Sequence, residues 1–127
     1  KDMVKRAGES ISLRDLDEQI QRLLPEGVDA VSVPFENDFV GEDIGLVFSI
    51  SAEAKLDQME LKRRINSEVL PFFRPRIGVL VQEPIRTASG KPRRWIFKAR
   101  FAACKERPLR PQFEWLSPQE DQDSVSN

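Results

Sequence analysis

The apolar residues of this chain recur at two spacings, and the alternation between them limits the fold more than any other feature. Leu13, Leu16, Ile20, Leu23 and Leu24 recur at helical spacing, behind a capping-box-like start of Ser12 with Asp15 and ahead of Pro25-Glu26-Gly27. This predicts a helix over 13–24. Val28, Val31 and Val33 read as a short strand stopped by Pro34, and the run from Ile44 to Ile50 as a buried strand; the acidic stretch Phe35 to Asp43 between them reads as an exposed loop. Asp57 and Glu60 open a second helix whose Leu61, Ile65 and Val69 lie four apart on one face, ending at Pro71. Ile77 to Val81 supplies a third strand. Thr87-Ala88-Ser89-Gly90 is turn-like, and Pro92 stands where a first helical residue tolerates proline, opening a helix through Cys104 with Ile96 or Phe97, Phe101 and Cys104 on its apolar face. The order is that of an α+β layer fold: a small mixed sheet of about three strands flanked by helices, with a short N-terminal hairpin and no internal repeat.

At 127 residues, with 39% hydrophobic and 32% charged side chains, the chain has the size and balance of one globular domain with a real core. Its longest strongly apolar stretch, Ile44 to Ile50, is far short of the roughly 20 residues of a membrane helix, so no span is expected. The first residues lack a signal-peptide pattern, and a start at Lys1 suggests a piece of a longer protein. The absence of histidine and the single cysteine, Cys104, exclude a structural zinc site, a Cys/His or Ser/His nucleophile pair and an internal disulfide. No metal-ligating set is expected. A lone thiol fits a reducing compartment, and the cytoplasm is the expected location.

Charge is unevenly placed. Between residues 86 and 110, nine cations (Arg86, Lys91, Arg93, Arg94, Lys98, Arg100, Lys105, Arg107 and Arg110) stand against Glu106 alone. Such a segment suits nucleotide phosphates, the CoA pyrophosphate, an acidic carrier protein or nucleic acid, or else is simply a solvated face. Nucleic acid is the less favoured of these, because Phe97 and Phe101 fit a core stripe better than a base-stacking platform. From 118 the chain turns polar and acidic, and 118–127 reads as a disordered tail.

The sharpest motif is Arg86-Thr87-Ala88-Ser89-Gly90-Lys91. A phosphate-binding P-loop would need glycine at 85 and serine or threonine at 92, where this chain has Ile85 and Pro92. The segment instead resembles the C-terminal lysine motif of the adenylate-forming superfamily, an R-T-x-S/T-G-K turn followed two residues later by arginine, here Arg94. Other parts agree in order. Lys1 to Ser12 resembles the family's K-D-x-I-x-x-x-G-E-N-I-S; Gly41-Glu42 matches its G-E before a strand; Phe72 with Pro75 fits its Y-x-x-P. Ile85 replaces the usual proline before the R-T pair, Ser10 a usual asparagine, Pro92 an aliphatic residue and Phe73 a basic one.

The resemblance, over residues 1 to about 104, implies the C-terminal lid domain of such an enzyme, with 105–127 as an extension. It is closer in wording to acyl-CoA synthetases than to peptide-synthetase adenylation domains. It implies an acid–thiol ligase using ATP with Mg2+, bound mainly by an N-terminal domain not contained here, and CoA or a carrier-protein phosphopantetheine as thiol acceptor. Lys91 would act on the carboxylate and phosphate during adenylation, Lys1 would be the hinge, and Lys5, Gly8 and Glu9 would line the pantetheine tunnel after rotation. Arg86, Thr87, Ser89, Gly90, Arg94, Gly41 and Glu42 complete the motifs. The partners implied are the enzyme's own N-terminal domain, a carboxylic acid, and CoA or a carrier protein. The fragment alone would be inactive. A non-catalytic basic binding module is the rival from another class.

Overall fold

A computed structural model of the chain describes residues 2–108 and 110–121. The expected hinge, Lys1, lies outside the described residues.

An N-terminal hairpin pairs β1 (Met3–Arg6) with β2 (Glu9–Ser12). The first helix, α1 (Leu13–Gln21), starts where the capping residues predict: the Ser12 hydroxyl accepts a hydrogen bond from the Asp15 N–H at 3.1 Å. Strands β3 (Val28–Asn37) and β4 (Gly41–Ile50) form a ten-residue antiparallel ladder from Val28↔Ile50 to Asn37↔Gly41. Helix α2 (Gln58–Glu68) is capped by Asp57, whose carboxylate accepts from the Glu60 N–H. Strand β5 (Ile77–Leu80) adds parallel to β4, and β6 (Glu114–Trp115) parallel to β5. β1 joins the other end of β4 at Arg6↔Gly41.

The α+β class and the N-terminal hairpin are as expected, but the sheet is larger than three strands, with six among the described residues. The supposed loop Phe35 to Asp43 is mostly ladder: Pro34 pairs with Ile44, and only 38–40 turn. Pro34 is tolerated because β3 pairs with β4 alone, and an edge strand can carry a residue without an N–H. The last helix also differs. Residues Arg94–Cys104 form a 3₁₀ helix, and Pro92 bridges back to Arg86 instead of opening a helix. An 11-residue run is long for this geometry. Its burial follows the three-residue turn, with Arg94, Phe97 and Arg100 buried in one series and Phe101 and Cys104 in the next, while Ile96 is exposed.

Alternation along β4 divides the core. Ile44, Leu46 and Phe48 meet α1 and α2, whereas Val47 faces Val31, Val33 and the 3₁₀ helix. Gly45 lies directly beneath the Phe101 ring, and Gly78 beneath Phe113. Burial of β4 on both faces accounts for its unbroken apolar run. Phe113 is fully buried, and Asn66 holds it by accepting from its N–H at 2.7 Å and donating to its carbonyl at 3.2 Å. The segment after 104 thus contributes to the core. Residues 118–120 form a turn followed by Asp121, whose carboxylate accepts hydrogen bonds from Arg100 at 2.8 and 3.0 Å; residues 122–127 of the tail lie outside the described residues.

Candidate active site

Lys91 closes a small turn that the chain holds from within. The Thr87 N–H donates to the Lys91 carbonyl and the Gly90 N–H to the Thr87 carbonyl, both at 2.9 Å, and the Thr87 hydroxyl accepts from the Lys91 N–H at 3.1 Å. Ser89 Oγ lies 3.1 Å from Thr87 Oγ1. Gly90 has φ +91°, in the region that a side chain makes costly, which is why the turn needs glycine there. Each motif residue except Ala88 therefore has a task in shaping the turn. The Lys91 side chain is exposed, and among the described residues its ammonium has no hydrogen bond or ion pair.

The turn is also braced from outside. Arg86 makes a two-point contact with Asp29 on β3, Nε to Oδ2 at 2.7 Å and Nη2 to Oδ1 at 3.2 Å, and its Nη1 donates to the Gly90 carbonyl at 3.2 Å. The hydrogen bond that Arg86 donates to the Asp29 carboxylate raises the guanidinium pKa above its ordinary value, so it is permanently charged. On the other side Arg94 is buried, donating to Asp17 at 2.8 Å, to the Ser32 carbonyl at 2.8 Å and to the Ser32 hydroxyl at 3.1 Å. Lys91 is thus carried between two anchored arginines.

The hairpin residues lie elsewhere. Ala7 (φ 52°) and Gly8 (φ 85°) make the two-residue turn between β1 and β2, a conformation with two positive φ values. A side chain at Gly8 would meet nothing within 4 Å, so inside this chain the glycine answers a backbone demand alone. Glu42 accepts from the Lys5 N–H at 3.0 Å, and the Val40 carbonyl accepts from the Ala7 N–H at 2.9 Å, docking the hairpin on the start of β4. Lys5, Gly8, Gly41 and Glu42 border one open groove of about 660 Å³, with Lys98 and Lys105 on the same rim. Glu9 begins β2 as an exposed residue opposite Arg6 and does not border it.

The expected site residues therefore form two groups. Asp29 anchors one near the start of β3, and Glu36 borders the other near its end; they are seven steps apart along the strand, about 23 Å. Both groups are mounted on a single ladder, β3 with β4.

Residues that the motifs did not single out hold these groups in place. Arg6 is buried in the hairpin and donates to Asp43 at 3.0 Å, to the Arg74 carbonyl at 2.8 Å and to the Phe72 carbonyl at 2.7 Å. Arg74, also buried, donates to the carbonyls of Val69, Pro111 and Asn66. Asp29, Asp17 and Ser32 do the same work around Lys91. Their only signal in sequence is that they are polar residues inside or beside apolar runs.

The basic segment is less of a free patch than its composition suggests. Arg86, Arg94, Arg100, Lys105 and Arg107 are engaged by Asp29, Asp17, Asp121, Asp38 and Glu120. Burial raises the pKa of the Cys104 thiol, against a smaller opposing effect of Arg107, so it is not an activated nucleophile. No group of three or more acidic or thiol side chains able to hold a metal ion occurs among the described residues. No helix is long and apolar enough to cross a membrane among the described residues.

No protein-family model matches the chain. An acyl-CoA synthetase, FUM10 of Gibberella moniliformis, is 30% identical over 101 residues, covering 80% of this chain and 18% of the relative. Among solved structures, MbtA of Mycobacterium smegmatis matches with a TM-score of 0.61 at 27% identity, over 78% of this chain and 19% of that one. Apo MatB from Rhodopseudomonas palustris matches with a TM-score of 0.65 at 19% identity, over 78% and 20%. A fatty acyl CoA synthetase of Mycobacterium tuberculosis matches at 0.63 and 14%, over 80% and 20%; these last two likenesses concern the fold. The chain spans about one fifth of the length of each. Together with the motif resemblance, these likenesses place the chain with the adenylate-forming (ANL) superfamily, where it is similar to the acyl-CoA synthetases.

Proposed function

We propose that the chain is the C-terminal lid domain of an ATP-dependent carboxylic acid:CoA ligase, comprising residues 1–104 and an extension, 105–127, that supplies Phe113 to its core. In the first step a carboxylate oxygen bonds to the α-phosphorus of ATP while the bond to the bridging oxygen of pyrophosphate breaks, and pyrophosphate leaves with the electron pair. Negative charge crowds between two anions as that bond forms, and a positioned cation lowers the barrier. Lys91 is suited to this work. The observation that carries the reading is an exposed ammonium without a partner among the described residues, presented on a turn braced by Arg86 and Arg94.

In the second step the thiol sulfur bonds to the acyl carbon, the bond to the phosphate oxygen breaks, AMP leaves, and the thiol proton passes to solvent. Rotation about Lys1 would exchange the Lys91 end of the ladder for the hairpin end, so that Lys5, Gly8 and Glu9 meet the pantetheine arm of CoA or of a carrier protein. The separation of the two groups along one ladder supports this reading, because a single rotation then moves both. Engagement of five of the nine cations within the fold argues against a basic binding module. ATP with Mg2+ and the acid would be held mainly by the N-terminal domain, in the cytoplasm, and this chain alone would be inactive.

The test is Lys91→Ala in the full-length enzyme. Pyrophosphate release should fall by a factor of about 10² or more, with ATP binding little changed, as for loss of one electrostatic donor. Wild-type release would refute the assignment. Supplying CoA and a carrier protein in parallel identifies the acceptor.

A further inference from the structure

We infer that Asp29, on β3, is a positioning residue for the adenylation step, acting on Lys91 through Arg86; the inference rests on the function proposed above. Asp29 is 62 positions from Lys91 in sequence and belongs to none of the motifs.

The connection is short and directional. The two carboxylate oxygens of Asp29 receive Nε and Nη2 of Arg86 at 2.7 and 3.2 Å, the two-point geometry that fixes the plane of a guanidinium. Nη1 of the same guanidinium is thereby aimed at the Gly90 carbonyl, 3.2 Å away, the peptide group that precedes Lys91. Nη2 also reaches the Ala30 carbonyl at 3.4 Å, so the arginine is tied to the strand at two points. The Asp29 Oδ1 accepts from the Ala30 N–H at 2.8 Å, which sets the orientation of the carboxylate itself. Each link in the series β3, Asp29, Arg86, Gly90 is a hydrogen bond, and the last acts on backbone whose φ of +91° leaves glycine as the residue that fits.

Two other features assign this arrangement to placement of the lysine more than to holding the fold together. The Arg86 and Asp29 side chains are 31% and 33% exposed, where an ion pair contributes little to stability. The turn is attached to the core on its two flanks, by Ile85 and by Arg94, and so does not need Asp29 to stay folded. What Asp29 adds is restriction of the turn's orientation relative to β3. Orientation counts heavily in a step where a charge must meet two anions at once, and a displacement of about 1 Å can cost 10²-fold in rate.

The experiment compares Asp29→Ala, Asp29→Glu, Arg86→Ala, the Asp29→Ala/Arg86→Ala pair and Lys91→Ala in the full-length enzyme. Pyrophosphate release, conversion of supplied acyl-adenylate to thioester, and amide hydrogen exchange over 86–92 are read for each. Asp29→Ala should slow adenylation about tenfold or more at nearly unchanged KM for ATP, as expected of lost orientation. Thioester formation should stay within about twofold, and exchange at Thr87 and Gly90 should quicken. Asp29→Glu, which keeps the charge and both oxygens, should recover part of the loss. The pair should be no slower than Arg86→Ala alone, because both changes break one connection. Wild-type adenylation by Asp29→Ala beside an impaired Lys91→Ala overturns the role of Asp29 and leaves the function standing, as does equal loss in both half-reactions. Wild-type adenylation by Lys91→Ala overturns both.

Discussion

At the Lys91 end of the β3–β4 ladder one of the two bracing ion pairs, Arg86 with Asp29, is about one third exposed, the other being the more buried Arg94 with Asp17, whereas at the hairpin end the Arg6 and Asp43 side chains are 4% and 3% exposed. The same chemistry serves different purposes in the two places. A buried pair is strongly coupled to folding, because either partner alone is a charge left without water. A half-wet pair adds little to stability but can still fix an angle. The hairpin is thus built into the fold, while the Lys91 turn is aimed from its edge.

The most forceful way to break this contrast is to delete one arginine at each end. Arg6→Ala leaves Asp43 buried and should cost about 3–5 kcal/mol, whereas Arg86→Ala should cost about 1 kcal/mol or less. Chemical denaturation of the chain measures both. Equal losses would erase the distinction between the ends.

A substitution between the ends sharpens it. Gly78→Val places a side chain where the Phe113 ring lies, and overpacking of this kind costs about 1–3 kcal/mol. Because the strain falls in the shared core, both half-reactions of the full-length enzyme should decline together. A selective loss of either would mean that the ladder does not serve the two ends as one body.

The smallest effect concerns pH. Cys104 is fully buried beside the hairpin end, its carbonyl accepting from Asn37 at 2.8 Å, and burial raises its thiol pKa from 9.0. Between the unfolded and the raised folded value the unfolded chain has lost the proton and the folded chain keeps it. Stability from this group is therefore present below about pH 9 and declines above it, by at most about 1.4 kcal/mol per pH unit. Denaturation curves of Cys104→Ala should lack that part of the decline. Parallel profiles for the two proteins would contradict the buried, protonated thiol.

What could be read from sequence was whatever local chemistry decides. The starts of α1 and α2 follow from Ser12 and Asp57, whose side chains complete the first turn within three residues. The end of β3 was hidden because Pro34 and the acids Glu36, Asp38, Glu42 and Asp43 resemble a loop until β4 is known to lie alongside on one edge. The 3₁₀ helix was hidden because Phe97, Phe101 and Cys104 suit either helical period, and Arg94 and Arg100 show themselves as inward-facing only once Asp17 and Asp121 are in place. For the candidate site, the turn residues from Arg86 to Lys91 were legible as a motif. Asp29, Arg6 and Asp43 were not, since their partners are 57 and 37 positions away.

If the two ends serve different half-reactions, one crossed measurement separates them. Lys91→Ala and Gly8→Leu are compared in the full-length enzyme for pyrophosphate release and for conversion of supplied acyl-adenylate to thioester. Leucine at Gly8 must adopt φ near +85° and adds bulk where the thiol arm would pass. Lys91→Ala should lose adenylation by about 10² or more and keep thioester formation, while Gly8→Leu should keep adenylation and lose thioester formation. Loss of both steps by both variants, or unimpaired thioester formation by Gly8→Leu, would contradict the two-ended account.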